Sequence, residues 1–173
     1  MRLRIAAIFC ELCALCFASC VGNEVSDSVV PEYNVSYSCN STLINAVLQQ
    51  TKQTSLDCMG GYVRVYDSKT LSASDVVGVG GLLILQNFEG QFYAFDLACP
   101  YCYKNNKGSS KVKRITIKDD ALTAHCTACE SEFGAVVWGS PAATKGLANE
   151  ENLILRQYRA QRLGDGVTVV VSR

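Results

Sequence analysis

The stretch FYAFDLACPYC at residues 92–102, together with CTACESEF at residues 126–133, decides both the fold and the candidate site of this chain. Each contains two cysteines separated by two residues, and strand-forming residues come before each pair. Two tight turns of this kind can direct four thiolates at one point, as a tetrahedral metal ion requires at about 2.3 Å per sulfur. The sequence therefore predicts a shared metal site, formed by Cys99, Cys102, Cys126 and Cys129.

The residues alone leave the occupant of this site open. Zinc, a single iron ion and a 2Fe-2S cluster all accept four thiolates. One or two disulfides among the same cysteines are the alternative that requires no metal, and an oxidising compartment favours them.

Residues 61–173 predict a mostly β domain, because short apolar runs alternate with turns such as GVGG at 78–81. Short strands in this number indicate a β-sandwich or small barrel. The eight predicted strands are YVRVYD (62–67), LLILQ (82–86), QFYAFD (91–96), KVKRITIKD (111–119), LTAHC (122–126), AVVW (135–138), LILRQYRA (153–160) and VTVVVS (167–172).

The second cysteine stretch resembles a ligand box of Rieske domains, which reads Cys-x-x-His-Gly-Ser-x-Phe. Cys126, Ser131 and Phe133 match that box. Cys129 stands where the box has its His, and Glu130 stands where it has Gly. The resemblance implies that this stretch is one of two loops that hold a metal centre.

The first cysteine stretch resembles the other Rieske box, in which an aromatic-Ala-Phe strand runs into Cys-x-His. Cys99 matches, whereas Tyr101 occupies the His position and Cys102 follows it. Downstream, GLANEENLILRQY at residues 146–158 is similar to the family's Gly-Pro-Ala, Leu and Tyr pattern. The resemblance covers about residues 61–172 and implies a Rieske-like β-sandwich with two metal-knuckle loops at one tip.

The resemblance implies a 2Fe-2S cluster and electron transfer, whereas the ligand set differs from that of a Rieske cluster, which needs two histidines. This chain has one, His125. The ligand set therefore also permits Zn²⁺ in a structural or interaction role. The sequence supports the 2Fe-2S cluster and Zn²⁺ about equally. Tyr101 either hydrogen-bonds a ligand sulfur and so tunes the site, or packs on the domain as a loop side chain. Ser131 is expected to lie beside the ligands.

The N-terminus is typical of a bacterial lipoprotein signal. Arg2 and Arg4 precede an apolar run over residues 5–17, and the tetrad at residues 17–20, Phe-Ala-Ser-Cys, resembles a lipobox. We expect cleavage after residue 19, lipidation of Cys20 and anchoring of the exported protein to a cell-envelope membrane. The alternative, a 4Fe-4S ligand run at residues 10–20, lacks the Pro and the second cysteine run of ferredoxins.

Residues 20–36 are polar and predict a tether, followed by a helical lead-in over residues 37–60. Within it, NSTLINAVLQQTK at 40–52 has the apolar spacing of one short helix. Cys39 and Cys58 flank this helix, and in an oxidising compartment we expect a disulfide between them.

Composition excludes several classes of function. Sixteen basic and sixteen acidic residues leave no basic field for nucleic acid. No motif predicts a small-molecule substrate, and one histidine cannot build an oxygenase iron site beside a cluster. We therefore expect no catalytic residues. The protein is expected to be either an electron carrier with an unidentified redox partner, or a non-redox lipoprotein whose site is held by zinc or disulfides. Arg2 and Arg4 are not adjacent, which disfavours the export route of prefolded iron-sulfur proteins and favours zinc.

Overall fold

The computed structural model describes residues 27–39, 62–66, 71–106, 112–118, 123–163 and 168–172. The predicted signal peptide, Cys20, Cys58 and the helix predicted within 40–52 lie outside the described residues. Among the described helices, none has the length and apolar character to cross a membrane.

Nine strands in the described part form two antiparallel sheets, which confirms a mostly β fold. The strands are β1 (Ser36–Cys39), β2 (Tyr62–Val65), β3 (Leu82–Gln86), β4 (Phe92–Asp96), β5 (Thr116–Ile117), β6 (Ala124–Cys126), β7 (Ser131–Phe133), β8 (Gln157–Leu163) and β9 (Thr168–Ser172). The large sheet has the order β1-β9-β8-β4-β3-β2, and the small sheet has the order β5-β6-β7. The described residues also contain three short helical segments, which are α1 (Pro100–Asn105), the 3₁₀ turn η1 (Val136–Trp138) and α2 (Leu147–Glu150).

Strand β3 lies at the centre of the core, because both of its faces are covered. Leu83 and Leu85 pack into the apolar cluster that also contains the four cysteines. Leu82 and Ile84 point to the opposite face and pack into a second cluster with Val35. A strand buried on both faces needs a continuous apolar run rather than an alternating one, which explains the sequence LLILQ.

Residues 27–39 pack against the large sheet, although they lie before the domain start predicted at residue 61. Val30, Val35 and Tyr37 are buried. The side chain of Arg156 donates a hydrogen bond of 2.9 Å to the carbonyl of Val30. Strand β1 pairs with β9, with Ser36 opposite Ser172. A partner so distant along the chain has no local signal, so sequence reasoning did not predict this strand.

The strand predicted for AVVW is wrong, because residues 136–138 form η1. The turn ends at Gly139, which has φ 79, a conformation that glycine adopts without steric cost. Trp138 is 55% exposed and its ring lies 5.8 Å from that of Phe88. The apolar run was too short to distinguish a strand from a helical turn by periodicity.

Candidate metal centre

The loop that carries Cys99 and Cys102, called the first knuckle, forms where the chain leaves β4 and enters α1. Pro100 occupies the first turn of the helix, where its missing N–H costs no hydrogen bond. Cys99 precedes the helix and Cys102 lies within its first turn, so one helical turn brings both thiols to the same side. The amide of Cys99 donates to the carbonyl of Lys113 at 2.9 Å, which fixes the knuckle to the segment before β5.

The end of β4 is held by a buried carboxylate, that of Asp96. It accepts hydrogen bonds of 2.8 Å from the amides of Val79, Gly80 and Ala98, and the Tyr158 hydroxyl donates at 3.3 Å. Burial raises the pKa of Asp96, while these hydrogen bonds favour its charged form. The GVGG turn is thereby tied to the strand that carries Cys99.

The second knuckle is the turn between β6 and β7. Cys126 ends β6, the turn covers residues 127–130, and Ser131 begins β7. Glu130 has φ 55, the left-handed conformation in which a glycine has no steric cost. The resembled ligand box has glycine at this position, so Glu130 adopts the required backbone despite its side chain.

Gly146 closes the second knuckle from the other side. It has φ 72, and a Cβ built on it would lie 2.5 Å from the carbonyl oxygen of Glu130. Only glycine allows this approach, which brings the start of α2 against the turn.

The two knuckles bring all four predicted ligands together. Their sulfur atoms lie within 4.8 Å of one another, and all four cysteines are free thiols. The shortest contacts are 3.5 Å from Cys99 to Cys129 and 3.7 Å from Cys102 to Cys126. A tetrahedral ion with bonds of about 2.3 Å needs sulfur atoms about 3.8 Å apart, so this arrangement fits one ion.

The cluster is almost closed to solvent. Cys99 and Cys126 are 0% and 1% exposed, and Cys102 and Cys129 are 6% and 7% exposed. Four buried sulfur ligands would fill a tetrahedral coordination shell, as in structural rather than catalytic metal sites. Four buried cysteines therefore form a candidate metal-binding site without an open position for a substrate.

Electrostatics explain why this cluster favours a cation. The nearby thiol of Cys99 lowers the pKa of Cys126 to about 5, and the same interaction raises the pKa of Cys99. Burial raises the pKa of Cys102 to about 12. The shortest contact of Cys99 is to Cys129, yet its strongest electrostatic coupling is to Cys126, because all four sulfurs share one small volume. One negative charge therefore forms readily, and further thiolates need a compensating positive charge.

Ser131 lies next to the cluster, as expected for a side chain that tunes it. Its Oγ is 3.2 Å from the sulfur of Cys129 and accepts a hydrogen bond of 2.9 Å from the amide of Ala148. Because the oxygen accepts that bond, its proton remains available to the sulfur. Tyr101 is partly buried and packs against the apolar cluster that contains the four cysteines.

The other predicted site residues lie apart from the cluster or outside the described chain. Cys39 is the last residue of β1, and Cys58 is not described, so their disulfide stays a prediction. Lipidation of Cys20 likewise falls on a residue that is not described. His125 lies on β6 opposite Glu132 and is not one of the clustered ligands.

Sequence reasoning missed the residues that position the knuckles, chiefly Asp96 and Gly146. The available signals were a single carboxylate ending an apolar strand and a Gly-rich turn able to supply N–H donors. It also missed a surface cavity of about 400 Å³ beside the second knuckle. The lining residues are Thr127, Ala128, Cys129, Glu130, Gly146, Leu147 and Glu150.

The geometry of the four cysteines is the basis on which this site is assigned. Comparison of the chain with models of protein families, with curated proteins and with solved structures found no match.

Proposed function

We propose that the four cysteines bind one zinc ion as thiolates, and that this ion fastens the small sheet to the large one. The observation that carries the proposal is the span of the four sulfur atoms, 4.8 Å at most, in a buried cluster. Zinc takes four thiolates in this geometry and binds them strongly enough to contribute to folding. Each knuckle supplies two ligands, so the ion links β4 and α1 to the turn between β6 and β7.

The same span favours a single ion over a 2Fe-2S cluster. In a cluster, bridging sulfides separate the two irons, so two pairs of protein thiolates lie further apart than around one ion. Here no two of the four sulfur atoms are more than 4.8 Å apart. Every ligand is therefore within reach of one central ion.

We further propose that the domain has a Rieske-like fold, in which the two knuckles lie together at one tip. We also propose that it belongs to an exported lipoprotein. The position of both cysteine pairs beside a small sheet, at one end of β4, supports the first part. The lipobox-like tetrad ending in Cys20 supports the second. Asp27, seven residues later, pairs with Arg156 at 2.5 Å, so a lipid on Cys20 would hold the domain close to the membrane surface.

A one-electron carrier with a single iron ion is the second candidate. Iron accepts the same four thiolates, and the hydroxyl of Ser131 at 3.2 Å from Cys129 favours it. Hydrogen bonds to ligand sulfur atoms tune the potential of iron-thiolate centres. The substitution Ser131→Ala should then shift the reduction potential, an effect that a zinc site cannot show.

Elemental analysis with a visible absorption spectrum, on protein purified from its native envelope, decides between these candidates. We expect one zinc per chain and no colour. Iron with visible absorption supports the electron carrier, and iron with acid-labile sulfide supports a cluster. Protein that is isolated without metal and that binds neither zinc nor iron after its thiols are reduced would overturn all three.

Ligand variants test whether the ion sits in this cluster. Cys102→Ser should lower zinc affinity by well over tenfold and destabilise the fold, because binding energy at a closed thiolate site is largely folding energy. Cys39→Ser removes a cysteine outside the cluster and is the matched control, which should retain one zinc per chain. Equal zinc content in both variants would contradict the assignment.

A further inference from the structure

The short sulfur contacts in the cluster run between the two knuckles. Cys99 and Cys129 are 3.5 Å apart, and Cys102 and Cys126 are 3.7 Å apart. Each contact joins one cysteine of the first CxxC pair to one of the second. In each contact, one cysteine residue is 6% or 7% exposed and lies at the solvent edge of the cluster. The other is 0% or 1% exposed and lies behind it.

We propose that release of the metal is coupled to oxidation of the cluster into two disulfides across the knuckles, Cys99 with Cys129 and Cys102 with Cys126. The metal half of this coupling rests on the proposed function, whereas the pairing rests on the sulfur contacts alone. Bound metal and disulfides then exclude each other, because each sulfur either binds the ion or binds its partner. The tip of the domain stays closed in both states, and only its redox state and metal content change.

The oxidant that fits is a small-molecule disulfide. The cavity of about 400 Å³ beside the second knuckle has Cys129 among its lining residues, and Cys129 is the more exposed residue of its pair, at 7% against 0% for Cys99. The outer sulfur attacks the oxidant, forms a mixed disulfide and expels one thiolate. The inner sulfur, Cys99, then attacks Cys129 and expels the second thiolate.

The electron balance of each step is complete. Two cysteine thiols lose two electrons and two protons when they form one disulfide. One molecule of oxidised glutathione takes up both and leaves as two molecules of reduced glutathione. Oxidation of the whole cluster therefore uses two equivalents of oxidant for each ion that is released.

Chain topology also favours pairing between knuckles over pairing within them. A disulfide within Cys99-Pro100-Tyr101-Cys102 closes a very short loop and restricts the unfolded chain little. A link from Cys99 to Cys129 closes a loop that contains all of β5 and β6, and it restricts the unfolded chain far more. The linked pairs also hold the small sheet against β4, as the ion does.

Peptide mapping of the full chain tests the pairing. Metal-free protein is oxidised with glutathione disulfide and digested with trypsin without reduction. Lys104 and Lys113 lie between the CxxC pairs, so disulfides between knuckles keep two tryptic peptides joined. Two separate peptides, each with an internal disulfide, would overturn the proposal, and so would thiols that stay free or carry glutathione.

Two double variants distinguish the proposed pairs from the other pairing between knuckles. Cys99→Ser with Cys129→Ser leaves Cys102 and Cys126, which are in contact. Cys99→Ser with Cys126→Ser leaves Cys102 and Cys129. We expect the first variant to form its disulfide about tenfold faster, because the reacting atoms are already adjacent. Circular dichroism first verifies that both variants are folded, and equal or reversed rates in folded protein would refute the pairing.

The coupling between cysteine oxidation and metal release is measured in the metal-loaded wild-type protein. Oxidised glutathione should release one metal ion as four thiols disappear, followed with a chromogenic chelator and a thiol reagent. Loss of thiols without loss of metal would overturn the coupling. The mapping uses metal-free protein, so it stands even if the native site holds no ion and the proposed function fails.

Discussion

At the scale of single residues, Glu130 shows how a loop that resembles a known ligand box departs from it. The left-handed backbone at φ 55 is set by the turn that returns β6 into β7, and the approach of Gly146 leaves the turn no room to relax. An L-residue pays a steric cost there that glycine does not. Glu130 stands where the resembled box has glycine, but this conformation was not predicted from the sequence.

Replacing Glu130 by glycine should stabilise the protein. The change Glu130→Gly removes the left-handed strain but adds freedom to the unfolded chain, so we expect a gain of up to about 1 kcal/mol in the free energy of unfolding. Urea denaturation of metal-loaded protein measures it. In the matched control, Glu150→Gly within α2, stability should fall by about 0.5–1 kcal/mol. If Glu130→Gly lowered the free energy of unfolding as much as Glu150→Gly does, this result would contradict the strain argument.

The protonation states of the cysteines predict how metal binding depends on pH. Cys99 and Cys102 have raised pKa values, about 12 for Cys102, so both hold protons at neutral pH that a metal ion must displace. Affinity should therefore rise with pH, by at least roughly hundredfold per unit, because at least these two protons leave. Below about pH 5, Cys126 also becomes protonated and the affinity falls further. Competition with a chelator at pH 6, 7 and 8 measures this trend, and a constant affinity would contradict it.

At the scale of elements, the sequence predicted strands over β2, β3, β4 and β9, and it missed β1 and also β7, although β7 pairs with its neighbour β6. β3 and β4 form a hairpin of apolar residues around the turn at residues 87–91, and both were predicted. β1 was not predicted, because its partner β9 lies at the other end of the chain. The helical form of the first knuckle was also missed, since CPYC is equally compatible with a turn and a helical start. The four ligands themselves followed from spacing, because CxxC brings two thiols together in either conformation.

The carboxylate of Asp96 joins two elements, the GVGG turn and the end of β4. The change Asp96→Asn replaces one acceptor oxygen by an NH₂ group facing amide donors, so buried N–H groups lose their partners. We expect the free energy of unfolding to fall by about 2–4 kcal/mol. Thermal or urea denaturation measures this change. Glu89→Gln, at an exposed position, is the matched control and should change stability by less than about 0.5 kcal/mol.

At the scale of the whole molecule, the two sheets differ greatly in how they are held. The large sheet has one core of its own, on the face of Leu82 and Ile84. On its other face it shares a core with the small sheet, whose Ile117, Ala124 and Phe133 pack into the same cluster as the four cysteines. The strands of the small sheet have only two or three residues, and a hydrogen bond of 2.8 Å from the amide of Ile115 to the carbonyl of Leu97 adds to this packing. A metal ion held by the four cysteines would add a coordinate connection to that apolar contact.

Metal removal should therefore loosen one sheet and spare the other. In chelated, reduced protein we expect faster amide exchange in β6 and β7, with β3 and β4 still protected. Hydrogen-exchange mass spectrometry of loaded and chelated protein measures the difference. Uniform exchange in both sheets after chelation would show that the ion supports the entire fold. No difference between the two samples would show that it supports neither sheet.

The pairing of β1 with β9 has a consequence for how the protein is made. Ser36 lies opposite Ser172, so the edge of the large sheet cannot form until nearly the whole described chain has emerged from the ribosome or the export channel. The cysteines at 99–129 emerge earlier, and they can meet an ion or an oxidant while β8 still lacks β9. Contacts between such distant segments also slow folding. The thiols of the nascent chain are therefore available to an ion or an oxidant before its last strand closes the sheet.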